Sequence, residues 1–223
     1  MSANFSRWDY IKSFLFPVTL ESKNSPINTG LEVILTNGHL ILDCAGANYS
    51  FGGLHTVFQQ AFKKIRLDKF PAENVLVLGL GAGSVPTIIY DELHMNVTIE
   101  AVEKDEVVID IGKRYFNIDR FSNLKIICAD AFDYIKNSNQ SFDVIVIDIY
   151  EELTIPEKFE TTEFFQQVHN HLKANGIMVY NKVIGTPQMY GQYLSIMEIS
   201  KSIFSNIQSV KASRFNQVIV GTK

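Results

Sequence analysis

The stretch VLVLGLGAGS, residues 75–84, constrains the fold more than any other part of the chain. Val75–Leu78 reads as a buried strand, and Gly79, Gly81 and Gly83 read as a tight turn into a helix. Glycine has no Cβ and tolerates positive φ, so such a turn lets the backbone approach a ligand closely. A nicotinamide cofactor, a methyl donor and a polyamine precursor all satisfy these ten residues.

The strand–turn–helix unit repeats. From Phe51 onward, helical patterns near 54–67, 106–116, 131–136, 162–172 and 190–203 alternate with apolar strands at 75–78, 97–102, 124–128, FDVIVIDIY and GIMVYN. Two more strands follow, near 205–211 and 217–220, close enough together to be antiparallel. The pattern predicts an α/β, Rossmann-like, mostly parallel seven-stranded sheet with an antiparallel last strand. Residues 1–50 read differently, as three short strands in a small β-hairpin domain before the 51–223 domain. Asn37-Gly38 supplies the hairpin turn, because both of its positions need positive φ. Three strands bury little alone, so this piece should pack on the main domain or on another subunit, which points to a homo-oligomer such as a dimer.

The 223 residues, 46% hydrophobic, suffice for a full core, and the net charge of −4 gives no basic field for nucleic acid. Cys44 and Cys128 lie in apolar strand-like stretches and read as buried thiols of a reducing compartment. No apolar run reaches the roughly 18 residues of a membrane span, and the N-terminus lacks a signal-peptide pattern. These features are those of a soluble, cytoplasmic protein with no membrane partner. No group of histidines and acids has metal-ligand spacing, and no metal is expected.

In an open α/β sheet, ligands sit at the carboxyl ends of the strands. The second strand ends AVEKD, placing Glu103 twenty residues after Gly83, where a carboxylate can accept from both ribose hydroxyls of a nucleoside. Glu100 is a weaker candidate by parity. The third ends ICADAF; Asp130 can accept from an adenine amine, cap the following helix or do both, while Ala131 leaves room for the ring. The fourth ends VIDIYEEL, with Asp148, Tyr150, Glu151 and Glu152 clustered. Asp148 closes an apolar run and has no cationic partner in the sequence, so a ligand ammonium or sulfonium is the fitting counter-charge, with Tyr150 adding cation–π attraction.

The spacing Gly79-x-Gly81-x-Gly83, with serine at 84, departs from the dinucleotide fingerprint and is similar to that of AdoMet-dependent transferases. The chain as a whole, from about Pro17 to Val220, resembles the spermidine synthase family of aminopropyltransferases. That family carries a G-G-G-D-G loop, V-E-x-D, G-D-x-F, D-S-S-D-P and F-T-x-E-F-Y; here FETTEFF at 159–165 matches the last. The resemblance implies that Glu103 holds the ribose, Asp130 the adenine, and Asp148 orients and deprotonates the attacking amine. Glu151 then matches the second acid of D-S-S-D, and His55 the diamine-side histidine. The implied donor is decarboxylated AdoMet, the acceptor a small-molecule amine.

The departures bear on substrate. Ala82 replaces the loop aspartate, Ile149-Tyr150 replace the two serines and Glu152 the proline. Val77 stands where methyltransferases carry an acid two residues before the first glycine. Methyl transfer from AdoMet on the same fold, and a catalytically silent nucleoside-binding module, therefore remain alternatives.

Overall fold

The computed structural model describes residues 5–44, 47–151 and 154–223. A short helix α1 (Arg7–Lys12) opens the described chain, with Ser6 and Asp9 forming a reciprocal capping box. An antiparallel sheet follows, in spatial order β1 (Val18–Lys23), β2 (Leu31–Thr36), β3 (His39–Cys44) and β4 (Ala47–Ser50). Asn37 and Gly38 take φ of 49° and 77°, and Thr36 pairs with His39, so the hairpin forms where the sequence signals it. β4 is a fourth strand beyond the three expected; four residues are too few to display an alternating pattern.

Leu31, Val33 and Leu42 are fully buried and share one core with Val57, Phe58 and Phe62 of α2 (Gly52–Ile65) and with Val75 and Val77 of the main sheet. Packing within one chain therefore covers this face of the small sheet.

The main sheet has seven strands: β5 (Asn74–Leu78), β6 (Thr98–Glu103), β7 (Leu124–Cys128), β8 (Phe142–Ile147), β9 (Leu172–Val183), β10 (Ser205–Lys211) and β11 (Asn216–Thr222). Their order is β10-β11-β9-β8-β5-β6-β7, with β5 to β9 parallel and β11 antiparallel to both its neighbours. Two apolar layers cover it, one per face. The connecting helices are α3 (Ser84–Thr87), α4 (Glu106–Phe116), α5 (Ala131–Asn137), α6 (Thr162–His171) and α7 (Pro187–Ile203). Asp105, Asp130, Thr161 and Thr186 cap the last four through their side chains.

Two local expectations change. The helix after the glycines is a single α turn, α3, which widens into a π turn over Ile88–Glu92. The fifth parallel strand begins at Leu172 rather than at Gly176. Its Asn175-Gly176 pair, which reads as a turn, is a bulge with Asn175 at φ 62° and a register shift against β8.

Candidate functional site

The carboxyl ends of β5, β6, β7 and β8 converge on one cleft, roofed by Ile27 from the β1–β2 connection and by Tyr49 of β4. Ile27 reaches it because Ser25 and Asn28 both donate to the Asp105 carboxylate, the Asn28 amide at 2.7 Å. Asp105 thus caps α4 and ties the small sheet over the cleft.

Gly79 lies at φ 89°, and a Cβ there would collide with the carbonyl of Asp148. The loop is fastened to the strands on both sides: Gly79 N–H donates to Val102 O at 2.9 Å, and Asp148 N–H donates to Leu78 O at 2.8 Å. Gly79 and Gly81 line the cleft. Gly83, at φ 99°, faces Ile118 instead and serves close packing. Ala82 is buried, and its N–H donates to Ser50 Oγ at 3.1 Å.

Glu103 ends β6 with 6% of its surface exposed, one oxygen accepting from Gly81 N–H at 2.9 Å and the other from Asp105 N–H at 3.0 Å. Burial pushes its carboxyl up, against the pull of those amides. Glu100 turns to the far side, where Tyr134, Lys125 and Gln140 hold it. Asp130 does two things at once. Its Oδ1 caps α5 at Phe132 N–H, 3.0 Å away, and its Oδ2 accepts from Lys158 Nζ at 2.6 Å. Burial alone would raise its carboxyl, but Lys158 and the helix amides outweigh it and the net direction is down. Ala131 lines the cleft beside it.

Asp148 follows β8 directly. One face stays open to the cleft while protein atoms crowd the rest, and that desolvation pushes its carboxyl up to about 7. The amide of Asn181, on β9, donates to Asp148 Oδ1 at 2.9 Å and draws the value down; Glu103, also negative, raises it. Asn216 donates to the Asn181 side-chain carbonyl at 3.1 Å, and Ser213 to Asn216 at 2.8 Å. This chain of donors fixes which end of the Asn181 amide meets Asp148. Among the described residues, no cation pairs with Asp148.

Three expected contacts look different in three dimensions. The Tyr150 ring lines the cleft, but its hydroxyl accepts from Val183 N–H at 3.0 Å and is committed to the β9 backbone. Glu151 is paired with Lys104 at 3.1 Å, and Lys104 also reaches Asp130 at 3.6 Å. Glu152 lies outside the described residues. His55 does not line the cleft: its ring stands behind the glycine loop, Nδ1 at 2.9 Å from Ser84 Oγ and Nε2 at 2.6 Å from Glu92. Sequence reasoning missed Ile27, Lys104, Lys158 and Asn181. Asn181 ends the strand GIMVYN, so the strand-end rule, applied to the fifth strand as to the first four, would have found it.

Among the described residues, no group of three or more metal-ligating side chains converges, and no helix is long and apolar enough to cross a membrane.

Comparison with known proteins follows the same lines. A spermine/spermidine synthase domain model matches residues 62–216. A polyamine aminopropyltransferase of Vibrio vulnificus (strain CMCP6) is 36% identical over 124 residues, 53% of this chain and 40% of that protein. An eEF1A lysine and N-terminal methyltransferase of Xenopus laevis is 30% identical over 148 residues, 62% of this chain and 21% of that one. The chain therefore spans under half the length of these relatives. Spermidine synthase from Thermotoga maritima matches 92% of this chain, and 72% of its own, with a TM-score of 0.73 at 16% identity. Human methyltransferase-like protein 13 in complex with SAH matches 76% of this chain, and 78% of its own, with a TM-score of 0.60 at 24% identity. At these identities the two structures speak for the fold.

Proposed function

The chain belongs to the spermine/spermidine synthase family, and on that premise we propose that it transfers an aminopropyl group from decarboxylated AdoMet to an amine, releasing methylthioadenosine. The observation that carries the reading is Asp148: a crowded carboxylate with no cationic partner among the described residues, opening on the cleft beside the glycine loop. A general base serves best when its own value lies near the working pH, and this carboxyl is held at about 7.

The chemistry follows from the placement. Glu103 and Asp130 hold the ribose and adenine of the donor, turning the sulfonium toward Asp148. An alkylammonium is not a nucleophile, so Asp148 binds it and takes one proton. The freed nitrogen lone pair then forms a bond to the carbon beside sulfur. The carbon–sulfur bond breaks, its electron pair neutralises the sulfonium, and the product leaves as a secondary ammonium. Protein atoms crowd Asp148 on the sides away from the cleft, which strengthens its attraction for the ammonium.

Methyl transfer from AdoMet is the second reading. The eEF1A lysine and N-terminal methyltransferase relative favours it. Ala82 leaves the loop without the acid that grips an aminopropyl ammonium, and Val77 leaves β5 without the acid that methyltransferases carry, so the loop itself favours neither donor. Parallel calorimetric titration with decarboxylated AdoMet, AdoMet and methylthioadenosine separates the readings. Tighter binding of the decarboxylated donor, with turnover on an amine panel, supports aminopropyl transfer; tighter binding of AdoMet supports methyl transfer. Binding without turnover on any acceptor identifies a silent nucleoside-binding module. We also propose a cytoplasmic location and a homodimer.

A further inference from the structure

We propose that Lys104 excludes diamines, so that the acceptor is a primary amine carrying no second positive charge. This deepens the aminopropyl-transfer reading and rests on it. A diamine acceptor has two ammonium groups. One must meet the base, and the other needs a carboxylate of its own or an uncharged, well-hydrated exit.

The carboxylates around the cleft can be followed one by one. Glu103 is engaged by two backbone amides at the end of β6. Asp130 is held by Lys158 at 2.6 Å. Glu151, which the family resemblance makes the second acid, is held by Lys104 at 3.1 Å. Beyond Tyr150 lies a second chamber, lined by Ile155, Val183, Thr186 and Met189. Lys182, which also lines it, is only 4% exposed, pairs with Glu160 and reaches Gln192 at 3.1 Å. Among the described residues around the cleft, Asp148 is thus the one acid facing it that neither a lysine nor a pair of backbone amides has claimed.

The pair at Glu151 is half-exposed, and such pairs are individually weak. What holds the charge there is the second contact. Lys104 faces Asp130 as well as Glu151, so breaking one bond leaves the ammonium at the same mouth. A second ammonium arriving at Glu151 would have to displace Lys104 or share the carboxylate with that like charge. One unit charge at about 4 Å in a water-like medium alters an equilibrium by roughly fivefold, and by more where the cleft excludes solvent.

The test compares n-butylamine with 1,4-diaminobutane, amines of equal length that differ in the second charge. Methylthioadenosine release is followed with decarboxylated AdoMet as donor, alongside calorimetric binding of each amine to the methylthioadenosine-bound protein. Wild type should favour the monoamine in kcat/KM, and Lys104→Gln should shift the diamine-to-monoamine ratio by roughly fivefold toward the diamine. The ratio within each protein cancels any change in donor binding. An amine with a terminal carboxylate, 4-aminobutyrate, serves as a third acceptor; its use at the expense of both others would place an anion at Lys104 and agrees with the exclusion. Preference of wild type for the diamine, or a ratio unmoved by Lys104→Gln, overturns the inference and leaves the reaction standing. No amine bound and none turned over overturns the reaction itself, and this inference with it.

Discussion

Asn181 and Asp148 meet across neighbouring strands, amide to carboxylate at 2.9 Å, and Asn216 locks the amide in the donating orientation. The proposed base is thus set by a residue on the strand beside it rather than by a cation. Asn181→Leu removes the donor and leaves burial unopposed. A hydrogen bond to a charged group contributes about 1.5–3 kcal/mol, so the acid limb of the pH–rate profile should move up by roughly one to two pH units. Turnover at neutral pH should fall by about 10- to 100-fold, with recovery at higher pH. A limb that stays in place would show that Asn181 is structural only.

Asp148→Asn keeps the size of the side chain and removes its basicity. Turnover should drop by about 10²–10⁴-fold, while methylthioadenosine affinity holds within a few-fold. Full activity in this variant would leave the base unassigned.

The same substitution has a stability signature. Unfolded, the carboxyl ionises near 3.8; folded, at about 7. Between those values the native state keeps a proton that the unfolded chain has lost, so wild-type stability falls as pH rises through the window and levels off above it. Asp148→Asn escapes that fall. Chemical denaturation across pH should find the variant level with wild type near pH 4. Above pH 7 it should be more stable by on the order of 2 kcal/mol, allowing for solvent at the open face. A constant difference at all pH values would contradict the raised carboxyl.

Glu103 serves the fold as well as the ribose site proposed for it. Glu103→Ala strands the amides of Gly81 and Asp105, and should cost about 1–3 kcal/mol of stability. Glu103→Gln keeps an acceptor and removes the charge. The amide nitrogen cannot accept from the second backbone N–H, so we expect part of that stability loss in a protein that still folds, and methylthioadenosine affinity weakened by roughly 1–3 kcal/mol, read by calorimetry. Unchanged affinity in the glutamine variant removes Glu103 from the ribose site.

Gly79→Ala tests the closeness of β5 and β8. The added methyl would strike the Asp148 carbonyl from a backbone at φ 89°, so stability should fall by roughly 2–4 kcal/mol. Activity should fall further than stability alone explains, because the base moves. A thermal melt matching wild type would mean the turn has room the geometry denies it.

A homodimer, expected from the small N-terminal sheet, is tested by light scattering. Leu31, Val33 and Leu42 are already covered by α2 and the main sheet. Among the described residues, the apolar surface left exposed includes Trp8, Ile11 and Leu15. A dimer that dissociates on Trp8→Ser and Leu15→Ser would place the interface there; a monomer at working concentration removes the claim.

Much of this architecture is written locally. Period-two and period-3.6 patterns, the Asn37-Gly38 turn and the alternate glycines depend on neighbours in the chain, so the order of strands and helices and the strand-end acids Glu103, Asp130 and Asp148 are legible in the sequence. β4 is too short to show a period, and the Asn175-Gly176 bulge mimics a turn, so both are visible only in the fold. The state of the site was decided by tertiary structure. Whether an acid is free or claimed depends on residues far away in sequence: Lys158 lies 28 positions from Asp130, Lys104 47 from Glu151 and Asn181 33 from Asp148. His55 left the expected site for the same reason, since Ser84 and Glu92, not an acceptor, hold both of its nitrogens. A sequence places charges along a line, but Coulomb energy and desolvation depend on distances across the sheet, which exist only once the strands are side by side.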